Sequence, residues 1–168
     1  MTLAKRKADR LPQFDYNTPG AYFLTICVEG KQCILGSSVG GGAFDAPLVR
    51  LTKCGQIVQR YIESGNNIPG VTVDKYVVMP NHIHIMLFVD KTASCGTSWA
   101  PSPTNAVIPH FVSTFNRFVH RDVREKKFQR SYHDHVIRGE RDYLKIWEYI
   151  DSNPARWKDD CFYMEDMV

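Results

Sequence analysis

No stretch of this 168-residue chain approaches the ~20 consecutive apolar residues of a membrane-spanning helix. The opening MTLAKRKADR also lacks the apolar core of a signal peptide. Both absences lead us to expect a cytoplasmic protein with no membrane partner. Cysteine is sparse and odd in number: Cys27, Cys33, Cys54, Cys95 and Cys161 are scattered, and none forms a Cys-X-X-Cys pair, which argues against a thiolate zinc site or a dithiol redox centre. The glycine-rich stretch GSSVGGGAFDAP, 36–47, lacks the Gly-Lys-Ser/Thr ending of a phosphate-binding P-loop and reads as a loop. Excess charge of either sign is also missing, because a net +3 is too mild to name a polyanionic partner.

The distribution of that charge says more. Lys5, Arg6, Lys7 and Arg10 cluster at the start, Arg117, Arg121, Arg124, Lys126, Lys127 and Arg130 cluster later, and the last residues are acidic. Two basic clusters on one small domain make nucleic acid a partner worth testing, although a solvated helix face explains either cluster alone. With 43% hydrophobic residues, residues 1–168 suit a single domain, with 1–19 as a basic N-terminal arm and 91–105, rich in Ser, Pro and Thr, as a flexible loop.

AYFLTICVEG, 21–30, follows a Pro-Gly turn and reads as a strand. Val49, Ile57, Val58, Tyr61 and Ile62 recur at helical spacing, which predicts a helix from Leu48 to about Ser64. VTVDKYVVM (71–79) and HIHIMLFVD (82–90) flank a Pro80-Asn81 turn and predict an antiparallel hairpin. From Pro109 a second helix carries the stripe Phe111, Val112, Phe115, Phe118, Val119 and Val123, with Arg117, His120, Arg121 and Arg124 on its other side. KFQRSYHDHVIR, 127–138, reads as a fourth strand, and Tyr143, Ile146, Trp147 and Ile150 mark a last helix that Pro154 ends. This order predicts an α+β fold, a ferredoxin-like antiparallel sheet with helices packed on one face and one helix at the C-terminal end.

Two places carry chemistry. His82 and His84 project from one face of their strand because alternate strand residues share a face, so they could jointly hold a metal ion. Two histidines hydrogen-bonded to their neighbours explain the same spacing more simply. Tyr149 and Asn153 stand four apart on the last helix and are side-chain neighbours; a packed tyrosine ring and a helix-terminal asparagine account for them equally well.

MPNHIHIML, SYHDHVIR and YIDSNPARW occur in that order, after GAYFLTICVEGK. Together they resemble the single-tyrosine HUH transposases, and most closely the REP-associated tyrosine transposase group, over nearly the whole chain. The resemblance implies metal-dependent cleavage and strand transfer of single-stranded DNA bearing REP-like hairpins. It assigns Tyr149 as the nucleophile that forms a 5′-phosphotyrosine, and His82, His84 and Asn153 as the holders of a Mg²⁺ or Mn²⁺ ion. Asn153, where insertion-sequence relatives carry Gln, points to the REP-associated branch, and the family leaves monomer and homodimer both open. It also places the protein with DNA, in the nucleoid. For the DNA contacts we take Arg117, His120, Arg121, Arg124, Lys127 and Arg130 with Lys5, Arg6, Lys7 and Arg10, all from the charge distribution. His133 and His135 form a competing His-X-His; His135 is assigned to DNA contact or to ordering the pocket, and Tyr132 is the competing nucleophile. The alternatives are a catalytically inert nucleic-acid-binding module of the same fold, whose RRM aromatic signature is missing, and a phosphate-ester hydrolase using the same histidines.

Overall fold

The structure, a computed structural model, describes residues 15–16, 18–39, 48–91, 93 and 106–164. The elements are β1 (Gly20–Cys27), β2 (Gly36–Val39), β3 (Leu48–Leu51), α1 (Lys53–Glu63), β4 (Val71–Val78), β5 (His82–Val89), α2 (Val107–Val123), β6 (His133–Ile137) and α3 (Glu140–Ser152). Four strands form the main sheet in the order β4-β5-β1-β6, every neighbour antiparallel. The sequence β1-α1-β4-β5-α2-β6 with this pairing is the ferredoxin-like arrangement expected from the order of elements. The basic residues of the N-terminal arm, Lys5, Arg6, Lys7 and Arg10, lie outside the described residues, as does most of 91–105.

Alternation within the strands fixes the register. Tyr22, Leu24 and Ile26 of β1 lie opposite Leu87, Ile85 and Ile83 of β5, and all are buried. Helices α1 and α2 cover this face with Val58, Ile62, Ile108, Phe111, Val112, Phe115 and Val119. Burying each such aliphatic or aromatic side chain contributes about 1.5–3 kcal/mol. A one-residue slip of β5 would turn its apolar row away from the helices and drive His82 and His84 into the apolar layer. The core therefore dictates that the histidines face the other way. On that second face α3 and the segment after it form the cover, and Phe88, past the covered region, is 49% exposed.

Several boundaries differ from the sequence reading: β1 ends at Cys27 rather than Gly30, and α2 starts at Val107 rather than Pro109. Residues 48–51 are not helical: LVRL pairs with GSSV (36–39) as a two-stranded ribbon, so the start of the stretch read as a loop is a strand, and 40–47 lies outside the described residues. The helix begins at Lys53 because Thr52 adopts an extended conformation and its side chain accepts a hydrogen bond from the Gly55 N–H at 3.1 Å. The fourth strand is shorter than 127–138; only 133–137 pairs continuously, while Phe128 bridges Val28 in isolation.

Gly55 sits where the ribbon meets α1. A Cβ there would lie 2.0 Å from the Leu35 carbonyl oxygen. Gly→Ala in an exposed helix interior would gain about 1 kcal/mol. Here Gly55→Ala should instead destabilise by about 1–3 kcal/mol, the usual cost of overpacking. The check is a lower urea midpoint at unchanged m-value, and a raised midpoint would show that the backbone at Leu35 yields.

Candidate active site

The centre of the second face is a buried histidine pair. His84 pairs with Thr25 across the β1–β5 ladder and with Val77 across β4–β5, so it occupies the middle of the sheet. Its Nδ1 lies 2.9 Å from Thr25 Oγ1. His82 Nδ1 lies 2.9 Å from Asn81 Oδ1, while the Asn81 Nδ2 group donates to the carbonyls of Lys31 (3.1 Å) and Phe162 (2.8 Å). With the amide nitrogen so engaged, Asn81 Oδ1 can only accept, and His82 must carry its proton on Nδ1. Its Nε2 lone pair then points at His84 Nε2, 3.0 Å away.

Both imidazoles are neutral around pH 7. Burial pushes the His82 pKa down to about 4, against a partial upward pull from Asp160, and burial together with His82 holds His84 well below the ordinary histidine range. The 3.9 Å approach of His82 Nε2 to Asp160 Oδ2 is therefore not an ion pair at neutral pH. Instead one N–H must lie between the two Nε2 atoms. Because His82 cannot supply it, His84 does, and Thr25 donates to the freed Nδ1. Thr25 can equally accept, so the opposite His84 tautomer is available without rearrangement.

Helix α3 brings Tyr149 to this pair. Its amphipathic stripe turns Ile150 inward, and Tyr149, one residue earlier, lies at the margin of the packed face. The Tyr149 hydroxyl is 3.2 Å from His84 Nε2, and its ring stands edge-on to Phe23 at 6.1 Å. Tyr149 is 39% exposed, so substrate can reach the hydroxyl while the imidazoles behind it stay dry. Burial, the Asp160 carboxylate and Cys161 raise its pKa to about 12. Asn153 is buried one turn later; its Nδ2 group donates to Asp160 Oδ2 at 3.1 Å and its Oδ1 has no partner.

Spacing in the sequence does not single out Asp160. It follows a short helical turn whose Trp157 ring packs 5.9 Å from His82, and Phe162 lies 4.6 Å from the same ring. These aromatics pin the segment, and the Phe162 N–H donates to Asp160 Oδ1 at 2.7 Å. An acidic pair just beyond Asn-Pro, between two aromatic anchors, is the signal that could have found it. One ligand atom from each of His82, His84 and Asp160 lies within 4.8 Å of the others. Two neutral imidazoles, a carboxylate and an unsatisfied buried amide oxygen make a mixed nitrogen and oxygen donor set that fits a divalent cation.

The remaining candidates are spread over the molecule. His133 and His135 lie on edge strand β6, opposite Thr25 and Phe23, and so share the face of Tyr149. The His135 Nε2 atom is 2.8 Å from Asp142 of α3, tying the edge strand to that helix, and neither histidine is near enough to join the metal set. Tyr132 is buried in the apolar core. Arg117, Arg121 and Arg124 belong to α2 and its C-terminal cap, on the opposite side of the sheet from Tyr149. They are not a uniform basic face. The Arg121 guanidinium donates to Asp122 and Tyr61, the Arg117 and Arg121 groups lie 5.1 and 5.0 Å from the Phe118 ring, and Arg124 has left-handed backbone angles. His120 departs from the expected outer face: its ring packs 6.4 Å from Phe128, because the helix turns that position toward the β1–β6 end of the core. Lys127 pairs with Glu125, and Arg130 is exposed.

The chain is 30% identical, over 175 aligned residues covering 95% of it and 94% of the relative, to an uncharacterized protein of Haemophilus influenzae. It belongs to the same family as that protein. No family model matches the sequence. Among solved structures, a REP-associated tyrosine transposase bound to a REP hairpin is similar in fold, with a TM-score of 0.59 and 16% identity over 93% of this chain and 74% of that one. Among the described residues no helix is long and apolar enough to cross a membrane.

The neutral pair has a thermodynamic consequence. Unfolded histidine binds its proton near pH 6.5, whereas folded His82 does so near 4 and folded His84 is shifted in the same direction. Between those values the unfolded chain holds more protons, so stability contributed by these groups is complete above 6.5 and is lost as pH falls toward 4. Urea midpoints measured across that window should fall, and less steeply in a His82→Gln, His84→Gln double variant. An identical slope in both proteins would assign the acid sensitivity to other groups.

Proposed function

We propose that this protein cleaves and rejoins single-stranded DNA through a covalent bond to Tyr149. The observation that carries the reading is the Tyr149 hydroxyl 3.2 Å from a buried imidazole pair whose neutral nitrogens are suited to a cation. His82 and His84 would hold a divalent metal together with Asp160 and the free Asn153 oxygen. Such an ion, when bound, withdraws charge from a non-bridging phosphate oxygen.

The chain's own groups do the rest. Asn81 and Thr25 hold the imidazoles by their far nitrogens, fixing ring orientation. Phe23 sets the Tyr149 ring edge-on, and Ile150 anchors the helix that carries it. A hydroxyl with its pKa near 12 is a poor nucleophile until its proton leaves, so attack depends on cationic surroundings in the substrate complex. The Tyr149 oxygen bonds to phosphorus, its proton passes to solvent, the P–O3′ bond breaks and the departing oxygen takes a proton from solvent. The phosphotyrosine retains the phosphodiester energy for rejoining. Hairpin-bearing strands fit as substrate because a phosphate packed in duplex cannot easily enter a pocket between sheet and helix, whereas an unpaired strand can.

Labelled hairpin-bearing strands with Mn²⁺ should give an adduct that survives denaturing gels. Tyr149→Phe should abolish it while leaving hairpin affinity within about twofold, because one hydroxyl is removed and the packed ring remains. Adduct formation by that variant would exclude Tyr149 as the nucleophile. Binding without any adduct in the parent protein, with Mg²⁺ or Mn²⁺, would favour an inert binding module.

For the duplex part of the hairpin we propose Arg117 and Arg124, with Lys127, Arg130 and the N-terminal cluster as further phosphate contacts. Arg121 is committed to Asp122 and Tyr61, so its replacement would confuse binding with packing. Arg117→Gln with Arg124→Gln should reduce the slope of log affinity against log salt by roughly 0.7–0.9 for each phosphate no longer neutralised. An unchanged slope would return these residues to plain solvation.

A further inference from the structure

Beside Tyr149 a cavity of about 250 Å³ opens, with Asn153, Arg156, Asp159 and Asp160 among its walls. Without a bound cation its electrostatics oppose the substrate proposed above. Two carboxylates line it, whereas a scissile phosphodiester carries a negative charge and gains more during attack. Among the described residues Arg156 is the one cationic side chain in that wall. Its backbone extends the path of α3, with its N–H directed at the carbonyls of Ser152 and Asn153 at 3.2 and 3.1 Å. Tyr149, Asn153 and Arg156 therefore follow one another at a spacing of four and then three, along a single side of the helical path.

The Arg156 guanidinium makes no ion pair with Asp159 or Asp160, although both share the cavity. Asp160 instead spends its oxygens on Asn153, Phe162 and the Tyr149 hydroxyl. Arg156 is also solvent-exposed, so among the described residues neither packing nor charge pairing explains a long cation at that position. A planar guanidinium offers two parallel N–H groups, the geometry that matches two oxygens of a phosphate.

We propose that Arg156 contacts the scissile phosphate directly, binding a non-bridging oxygen on the side away from the histidine pair. This rests on the reading of Tyr149 as nucleophile and adds a second, metal-independent source of positive charge at phosphorus. The contact strengthens as the five-coordinate state gathers charge, so it acts on the rate of attack more than on strand affinity. The phosphate would thus be held between a cation-binding wall of imidazoles and an arginine carried beyond the nucleophile on the same helical path.

The test compares two linkages. One strand carries an ordinary phosphodiester at the cleavage position, and a second carries either diastereomer of a methylphosphonate, in which a neutral methyl replaces one non-bridging oxygen. On the phosphodiester, Arg156→Gln should slow adduct formation about 10²–10³-fold, the usual loss for one preorganised donor. Arg156→Lys should recover part of that rate, and strand affinity should change far less. On the methylphosphonate diastereomer whose methyl replaces the oxygen facing Arg156, the gap between Arg156→Gln and the parent protein should shrink at least tenfold, because the guanidinium there meets a neutral methyl. Equal defects on both linkages would mean that Arg156 only shapes the turn, and an undiminished rate on the phosphodiester would remove it from the site; either result overturns the proposal while leaving Tyr149 in place. A parent protein that forms no adduct on any strand would overturn the nucleophile assignment, and this proposal with it.

Discussion

The polar half of the molecule depends on one buried side-chain amide. Asn81 donates to carbonyls at Lys31 and Phe162 and receives the proton of His82, so a single group joins the turn after β1, the start of β5 and the C-terminal segment. At 1% exposure it has no water to fall back on, and breaking any one of these bonds would leave a buried partner unsatisfied, at about 1–3 kcal/mol each. Its orientation is over-determined, and it passes that determinacy to the imidazole. The tautomer of His82 and one anchor of the C-terminal segment follow from the same three contacts.

Two energetic demands oppose each other at the centre of the second face. Sheet packing favours apolar cover over β5, and Trp157 and Phe162 supply it over His82. The histidines beneath that cover would be costly if charged, so burial keeps them neutral, and neutrality is what leaves nitrogen lone pairs to offer. The cover that stabilises the sheet therefore also prepares the donor set. Tyr149 escapes the same enclosure only because α3 places it at the margin, between the dry pair and an open cavity.

Much of this was legible in the residues. The alternation of β1 and β5 and the stripes of α2 and α3 determined the sheet, its helices and the face on which the histidines project. Tyr149 and Asn153 were legible as helix neighbours, but that Tyr149 meets His84 and Asn153 meets Asp160 depends on the docking of α3, which spacing does not show. What the sequence hid depended on distant partners. LVRL reads as part of a helix until GSSV pairs with it, and no local periodicity announces that ribbon. Asp160 and Arg156 lie beyond the last helix, where spacing rules stop, and their positions are set by aromatic anchoring against His82 and by backbone bonds to Ser152 and Asn153. Charge counts also ignore neighbours: Asp122 and the Phe118 ring occupy part of the basic face of α2.

Were a cation to bind here, the threonine beside His84 would let the donor set load without shedding a proton. Most imidazole sites must shed protons to accept a cation, which makes their affinity climb steeply with pH. Here the pair is already deprotonated, and the N–H between the rings has another nitrogen to occupy, with the Thr25 hydroxyl turning round to receive it. Loading would relocate a hydrogen within one ring and release none to solvent. Occupancy of such a centre would follow the cell's supply of free cation and ignore its acidity across the neutral range.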